Sequence, residues 1–353
     1  MNYVINAILQ KAENTHRLEL EEIIQLLDLE ENTEEQKAFF SAADRVREKY
    51  VGNYIHLRGL IEFSNYCKRN CNYCGIRAKN TRVHRYRISE EEIFEIANKA
   101  AKLGYRTLVL QSGEDPYFTV KKLKNIVKTI KEKNNVAITL CVGELSHSDY
   151  DELIQAGIDR YLLRIETTNA ELFKQLHPDD DFYTRMELLR YLKKKNVQVG
   201  TGIMIGLPGQ TTEMLAQDIL FYQELDVDMV GQGPFIASPD TPMAEEKNGD
   251  VFTTLKVIAA TRLLCPDIHI PATTALATLS ITDARQRAFR CGANVVMPNV
   301  TPQKYRAFYE LYPDKACIGE DSDECRACIG GIIASCGLEV GRDFGHRIKK
   351  TPA

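Results

Sequence analysis

The stretch YIHLRGLIEFSNYCKRNCNYCGIR, residues 54–77, joins an apolar run to a loop of three closely spaced cysteines. Its first ten residues carry Ile, Leu and Phe with no proline, so they read as a buried strand. Cys67, Cys71 and Cys74 follow at C-x3-C-x2-C spacing, on the loop that leaves the strand's C-terminal end. Seven more runs of the same kind come after it: TLVLQS (107–112), AITLCV (137–142), RYLLRIE (160–166), QVGTGIMIG (198–206), MVGQGPFI (229–236), IHIPATT (268–274) and NVVMPN (294–299). Most are separated by helical patterns, at 89–103, 119–133, 147–156, 181–195, 212–224, 252–264 and 281–290. Strands alternating with helices predict a parallel sheet covered by helices. Eight such units in roughly 250 residues predict an α/β fold, a closed (β/α)8 TIM barrel. A doubly wound open sheet is the structural alternative, but no G-x-G-x-x-G turn follows a strand to mark a dinucleotide site.

Outward from the barrel, residues 1–50 read as a charged helical segment packed on it, with Ile5, Ile8, Leu9, Ile23, Ile24 and Leu27 at helical spacing. No Pro/Gly/Ser-rich linker divides the chain, so 51–312 is one barrel domain and 313–353 a C-terminal extension with a basic tail. The 353 residues are 44% hydrophobic and 27% charged, which excludes a disordered or low-complexity chain. With 45 basic and 49 acidic residues the net charge is −4, which argues against nucleic acid as a partner. No apolar run reaches the roughly 18 residues needed to cross a bilayer. Acids stand within the first two dozen residues without a small-residue cleavage site, so no membrane anchor and a cytoplasmic location are expected.

Ten cysteines in such a chain are expected to be free, metal-bound or catalytic rather than disulfide-bonded. Three thiolates on one loop can hold three irons of a 4Fe–4S cube and leave the fourth iron open to a ligand. A closed zinc site would need a fourth ligand, and His84 is the nearest histidine. A zinc knuckle or unligated thiols are the competing readings. Cys317, Cys325 and Cys328, at C-x7-C-x2-C spacing, form a second metal-binding candidate; Cys336 is an unsupported fourth member, and zinc or unused thiols compete here too. Cys265 and Cys291 read as core, Cys141 as a strand residue that can face the interior, and His56 as a core histidine.

With Tyr73 before Cys74, the first cluster resembles the C-x3-C-x-aromatic-C motif of the radical S-adenosylmethionine superfamily. LQSGED, with Ser112, Gly113 and Glu114, is similar to that superfamily's amino-group-binding segment. RYLLRIET, GIMIGLPGQT, MVGQGPFIASPDTP and IPATTA extend the resemblance, from about residue 50 to 345, to the HydE family of FeFe-hydrogenase maturases. The one departure is Ile165, where many members carry histidine; it points away from the Arg164/Glu166 face.

The resemblance implies a 4Fe–4S cluster on the catalytic Cys67, Cys71 and Cys74, whose open iron chelates S-adenosylmethionine, with an electron from the cluster giving a 5′-deoxyadenosyl radical. It places Tyr73 against the adenine, Gly206–Gly209 near the adenosine, and Ser112, Gly113, Glu114, Thr139, Arg164, Glu166 and Arg185 as further contacts to S-adenosylmethionine. Arg164 and Glu166, two apart on a strand, share a face and can meet charges in the barrel mouth or satisfy each other. Arg160, Thr273, Thr274 and Tyr309 are implied to form an anion-binding region at the cavity floor. Cys317, Cys325 and Cys328 are implied to bind an accessory 2Fe–2S or 4Fe–4S cluster, variable among members and far from the first loop. The implied function is hydrogenase H-cluster assembly, acting on an organometallic Fe(CO)2(CN)–cysteine precursor supplied by another hydrogenase maturase. The reductant protein is unspecified. A lysine mutase like methylornithine synthase, which lacks the C-terminal cysteine trio, is the rival enzyme. Biotin synthase is a weaker rival, and a non-catalytic iron–sulfur carrier or scaffold is the rival from another class.

Overall fold

The computed structural model describes residues 3–350. The opening apolar run forms its longest strand, β1 (Tyr54–Ser64). Alternate residues divide between its faces: Ile55, Leu57, Ile61 and Phe63 enter the core beneath the helices. His56, Arg58, Glu62 and Ser64 therefore face the barrel interior. The other strands are β2 (Thr107–Ser112), β3 (Ala137–Cys141), β4 (Arg160–Leu162), β5 (Gln198–Thr201), β6 (Met204–Ile205), β7 (Met229–Val230), β8 (Gly233–Pro234), β9 (Val295–Val296) and β10 (Glu339–Val340).

β1, β2, β3, β4, β5 and β7 lie side by side in that order, all parallel, with Leu60, Val109, Thr139, Arg160 and Gln198 in register. Single bridges Met229–His269 and Pro271–Val295 carry the pairing on to β9, which returns to β1 at His56 and Leu57. The ring of eight parallel segments closes, as the alternation predicted. Helices such as Glu90–Lys102 and Val120–Lys133 bury one stripe each against the outside of the sheet.

Several strands are shorter than their apolar runs. RYLLRIE pairs regularly only to Leu162; Ile165 N donates to the Thr201 hydroxyl, and Glu166, left-handed at φ 66, keeps a single bridge to Ile203. IHIPATT makes isolated bridges rather than a strand; Pro271 has no N–H to give a ladder. QVGTGIMIG and MVGQGPFI each break in two, and β6 pairs β8 above the break. Gly202 and Gly231 lie back to back there: a Cβ on Gly202 would sit 2.0 Å from the Gly231 carbonyl oxygen. The sequence reading did not include the helices Ala170–Leu176 and Ser322–Ser335 or strand β10.

The N-terminal helices Tyr3–Thr15, Leu20–Leu27 and Glu34–Val51 pack over the helix Val251–Leu264. Every residue of the latter from Thr254 to Leu264 is buried, because the barrel lies beneath it and the N-terminal helices above. No helix among the described residues is long and apolar enough to cross a membrane.

At the other terminus β10 pairs the start of β1, and the chain then crosses the barrel's lower end, where the strands begin. Thr107 Oγ1 donates to the Phe344 carbonyl at 2.7 Å and Arg58 Nη2 to the Gly345 carbonyl at 3.3 Å. Arg347 fastens the crossing to Asp226 and Asp267, each at 2.7 Å. The basic tail is thus a plug under the barrel.

Candidate active site

The cysteine loop leaves β1 at Ser64, whose hydroxyl donates to Asp115 at 2.6 Å just past the end of β2. Arg87 forks onto the same carboxylate at 2.7 and 2.9 Å. Arg85 then gathers the loop from within, donating to the carbonyls of Ile76 at 2.8 Å, Arg77 at 2.7 Å and Asn80 at 3.1 Å. Beyond the last cysteine, the Gly75 N–H donates to the Leu311 carbonyl at 2.9 Å. Gly113 supports the loop from below: a Cβ there would come 2.3 Å from the Tyr66 carbonyl oxygen and 2.7 Å from Cys67 Cβ. The loop is therefore held before any metal is considered.

Burial raises the thiol of Cys67, raises that of Cys71 well above its ordinary range, and pushes Cys74 up to about 12; neighbouring thiols add to the effect at Cys71 and Cys74. Desolvated thiols without a cation resist ionisation, and a bound metal reverses that balance. A single tetrahedral zinc draws its sulfurs to about 3.8 Å of one another. Among the described residues only Cys317, Glu320 and Cys325 bring three such ligand atoms within 4.8 Å, so the three loop thiols are spread more widely. That spread and the all-sulfur donor set fit a multi-iron cluster better than one zinc ion.

Arg164 and Glu166, above the end of β4, form a forked pair at 2.8 Å, and Arg164 also donates to the carbonyls of Gly231 and Ile203. Burial opposes the Arg164 charge, but Glu166 outweighs it and holds the guanidinium above its ordinary value. Tyr73 donates to Glu166 Oε1 at 3.2 Å and packs on Leu172, Leu176, Met204, Leu207 and Phe235, which gives it one polar and one apolar side. Thr139 Oγ1 and Gln232 Nε2 are buried without a hydrogen-bond partner. Arg164 nonetheless keeps 30% of its side-chain surface. A partly exposed guanidinium and a carboxylate beside the ring of Tyr73 suit a ligand carrying an amine, a carboxylate and a ribose. The residues present thus fit S-adenosylmethionine. Ile165 is fully buried on the opposite face, as its strand position predicts.

Glu114 and Arg185 belong to a charge network at the rim. Arg69 bridges Glu114 at 2.8 Å, Glu144 at 2.8 Å and Asp180 at 2.6 Å, while Arg185 binds Glu144 and reaches Asp180 at 2.7 Å. Arg185 Nη1 also donates to the Arg164 carbonyl at 2.6 Å, tying the network to the forked pair. Burial pushes Asp180 up to about 7, with Arg185 and Arg69 acting against it and Glu144 with it. His177 lies between this network and the loop, with Nδ1 3.3 Å from Cys71 Sγ and its ring stacked on Phe173. Burial holds it well below the ordinary histidine value. Arg69, Glu144, His177 and Asp180 were missed from sequence; Arg69 lies within the cysteine motif and Glu144 just past β3, while His177 and Asp180 follow the helix Ala170–Leu176 and carried no signal. Ser112 ends β2, with its hydroxyl on the Gly113 carbonyl at 2.7 Å.

The implied substrate residues separate. Thr273 caps the helix Thr274–Leu279, its hydroxyl accepting from Leu276 N at 3.3 Å. Tyr309 is buried, and its hydroxyl accepts from Gln111 Nε2 at 3.3 Å. Arg160 does not join them. As the first residue of β4 it faces the lower end, where its nitrogens bond Gln198 at 3.1 Å, Thr107 at 3.3 Å, and the Phe344 and Gly345 carbonyls at 2.7 and 2.8 Å. The partners shown for this guanidinium are the tail carbonyls.

The second cysteine group is also regrouped. Cys325 and Cys328 are one turn apart on the helix Ser322–Ser335, but Cys325 is buried and Cys328 exposed. The close trio is Cys317, Cys325 and the unforeseen Glu320, with Arg285 3.8 Å from the Cys317 sulfur. A hydrogen bond between the two thiols, helped by Arg285, pulls Cys317 below its ordinary value and pushes Cys325 up. Leu311, which touches the first loop, is six residues from Cys317, or at most about 22 Å of chain. The two cysteine groups are therefore linked through one short strap. Cys141 stands beside Arg164 and Glu166, its thiol pushed up to about 12 by burial, while Cys265 and Cys291 are core residues.

Residues 61–222 match the model of the Radical SAM superfamily. The chain is 50% identical over 311 residues to the [FeFe] hydrogenase maturase subunit HydE of Thermotoga maritima, covering 88% of this chain and 89% of the relative. The chain belongs to the HydE family. It is a radical S-adenosylmethionine enzyme of hydrogenase maturation, and its family implies a 4Fe–4S cluster and S-adenosylmethionine. It is also 30% identical to the 3-methylornithine synthase of Methanosarcina acetivorans, over 77% of this chain and 76% of that one. The crystal structure of methylornithine synthase (PylB) superposes with a TM-score of 0.83 at 26% identity, covering 95% of this chain and 97% of that one.

Proposed function

We propose that this HydE-family enzyme cleaves S-adenosylmethionine reductively and acts on an Fe(CO)2(CN)–cysteine precursor in the cytoplasm, receiving it from another hydrogenase maturase. The observation that carries the reading is the cysteine loop seated on Gly113, with its Tyr73 on the forked Arg164–Glu166 pair. When bound, the cluster supplies the electron for the cleavage.

Cys67, Cys71 and Cys74 would hold the cluster. Tyr73 presents its ring to the adenine while its hydroxyl stays on Glu166. Ser112, Gly113 and Glu114 flank the amino group, and Thr139, Arg164, Glu166 and Arg185 complete the contacts to S-adenosylmethionine. Glu114 and Arg185 work through the rim network, which fixes their carboxylate and guanidinium planes. Arg160, Thr273, Thr274 and Tyr309 line the substrate side. We read residues 1–50 as a helical segment, 51–312 as the catalytic barrel, and 313–353 as an extension whose cysteines hold an accessory iron–sulfur cluster.

The test is release of 5′-deoxyadenosine by the anaerobically reconstituted, reduced protein. The synthetic iron–cysteine carbonyl cyanide complex is compared with L-lysine and with no addition. Stimulation by the iron complex alone is expected. Stimulation by lysine alone identifies a mutase, and no cleavage with an intact cluster identifies a carrier. Cys71→Ala is expected to abolish the product and Cys325→Ala to keep most of it; equal loss overturns the division between the two cysteine groups.

A further inference from the structure

The strap between the barrel and the C-terminal cysteines carries three side chains inward: Tyr309, Tyr312 and Lys315. Lys315 keeps only 8% of its side-chain surface. Its ammonium lies 5.4 Å from the Tyr309 ring centroid and pairs with Glu62 Oε1. Glu62, on the interior face of β1, is 1% exposed, and its other oxygen accepts from Asn299 Nδ2 at 2.6 Å. Tyr312 bonds Thr278 and lies within electrostatic reach of both Glu62 and Arg164. The ion pair therefore faces the same mouth as the forked Arg164–Glu166 pair.

Holding the strap down does not require this pair. The strap is already fixed by Asn65 Nδ2 on the Phe308 carbonyl at 2.6 Å, Gly75 N on the Leu311 carbonyl at 2.9 Å, and Ala316 N on Thr278 Oγ1 at 3.0 Å. A buried ion pair adds little to stability over an apolar pair of the same volume. What it does offer is one buried ammonium and one buried carboxylate side by side, the complement of an α-amino acid's head group. The lysine stem has four rotatable carbons and can swing from one carboxylate to another.

We propose that Lys315 and Glu62 form a clamp for the α-amino-acid head group of the substrate, Lys315 taking its carboxylate and Glu62 its ammonium. The inference rests on the reading of this mouth as the substrate site of a radical S-adenosylmethionine enzyme. It deepens that reading by assigning the substrate's amino-acid end to two residues outside the family motifs quoted above. Asn299 stays on Glu62 and keeps its carboxylate oriented when Lys315 turns to the ligand.

The test is calorimetric titration of the anaerobically reconstituted holoenzyme, with S-adenosylmethionine present. S-methyl-L-cysteine is compared with 2-(methylthio)ethylamine, which lacks the carboxylate, and 3-(methylthio)propionate, which lacks the ammonium. Wild type is expected to bind the amino acid roughly 10- to 100-fold more tightly than either fragment, the range of one charge-assisted hydrogen bond. Lys315→Met should remove the preference over the amine, Lys315→Arg should keep it, and Glu62→Gln should remove the preference over the acid. Equal binding of all three by wild type, no binding, or preferences intact in both variants overturns the clamp. The wild-type comparison holds even where a variant fails to fold. Failure of wild type to cleave S-adenosylmethionine would instead sink the functional reading; cleavage without discrimination sinks the clamp alone.

Discussion

Gly113→Ala isolates the floor of the cysteine loop. The added methyl would stand 2.3 Å from the Tyr66 carbonyl oxygen and 2.7 Å from Cys67 Cβ. Ordinary contact is 3.4 Å, so the backbone at Tyr66 must retreat by about 1.1 Å. Neither neighbour is the flexible end of a side chain. The retreat is resisted by Ser64 on Asp115 at 2.6 Å and by Lys68 N on the Glu114 carbonyl at 3.0 Å. Overpacking of this kind costs about 1–3 kcal/mol of stability. A displacement near 1 Å at a reacting centre costs on the order of 100-fold in rate. Iron content per chain after anaerobic reconstitution, 5′-deoxyadenosine rate and thermal midpoint are measured together. The expected result is a modest fall in midpoint with a disproportionate loss of bound iron and product. Gly330→Ala, in the helix Ser322–Ser335 with nothing within 4 Å, is the control and should gain about 0.5–1 kcal/mol. A Gly113→Ala protein with full iron and wild-type turnover would refute the argument that the glycine seats the loop.

Two other perturbations follow from buried charge. Arg160→Met takes one of two donors from each of the Phe344 and Gly345 carbonyls, leaving Thr107 and Arg58 on them, so urea unfolding should show a loss of about 1–3 kcal/mol, with the tail cut faster in limited proteolysis; unchanged stability refutes the plug. Asp218 is buried and pushed up to about 7 by burial, with the Thr168 hydrogen bonds pulling the other way. Because its folded value lies above the ordinary 3.8, its contribution is fully present below about pH 4 and is lost as pH rises through 7, a change of roughly 4 kcal/mol. Wild type should therefore lose stability between pH 4 and 8 relative to Asp218→Asn, and parallel pH profiles in urea titrations refute this.

The barrel was legible because its helices and first three strands have strong periods: TLVLQS pairs over all six of its residues. Legibility fell where backbone geometry overrode composition. Nothing in RYLLRIE announces the left-handed turn at Glu166, and IHIPATT looks more strand-like than a segment interrupted by Pro271 can be. The cysteine motif was readable because spacing alone brings its thiols onto one loop. The partners of that loop were not, since Arg69, Glu144, His177 and Asp180 converge from separate elements. The tail partners of Arg160 were hidden for a related reason: sequence puts it on the same face as Arg164 but does not say that residues 344–345 wait beneath it. Glu320 was invisible beside three cysteines, because only the fold shows that Cys328 turns outward.

The plug under the barrel also sets an order of events during synthesis. Arg58 leaves the ribosome 287 residues before the Gly345 carbonyl that receives its guanidinium. At about 5–20 residues per second, the interval is roughly 15–60 s. During it the guanidinium of Arg58, joined later by that of Arg160, lacks its tail carbonyls, so the lower end of the nascent barrel stays wet while its helices assemble. The lower end is covered only when residues 339–347 arrive. A fusion or truncation at this terminus therefore acts on the inside of the barrel, although it is made on the outside.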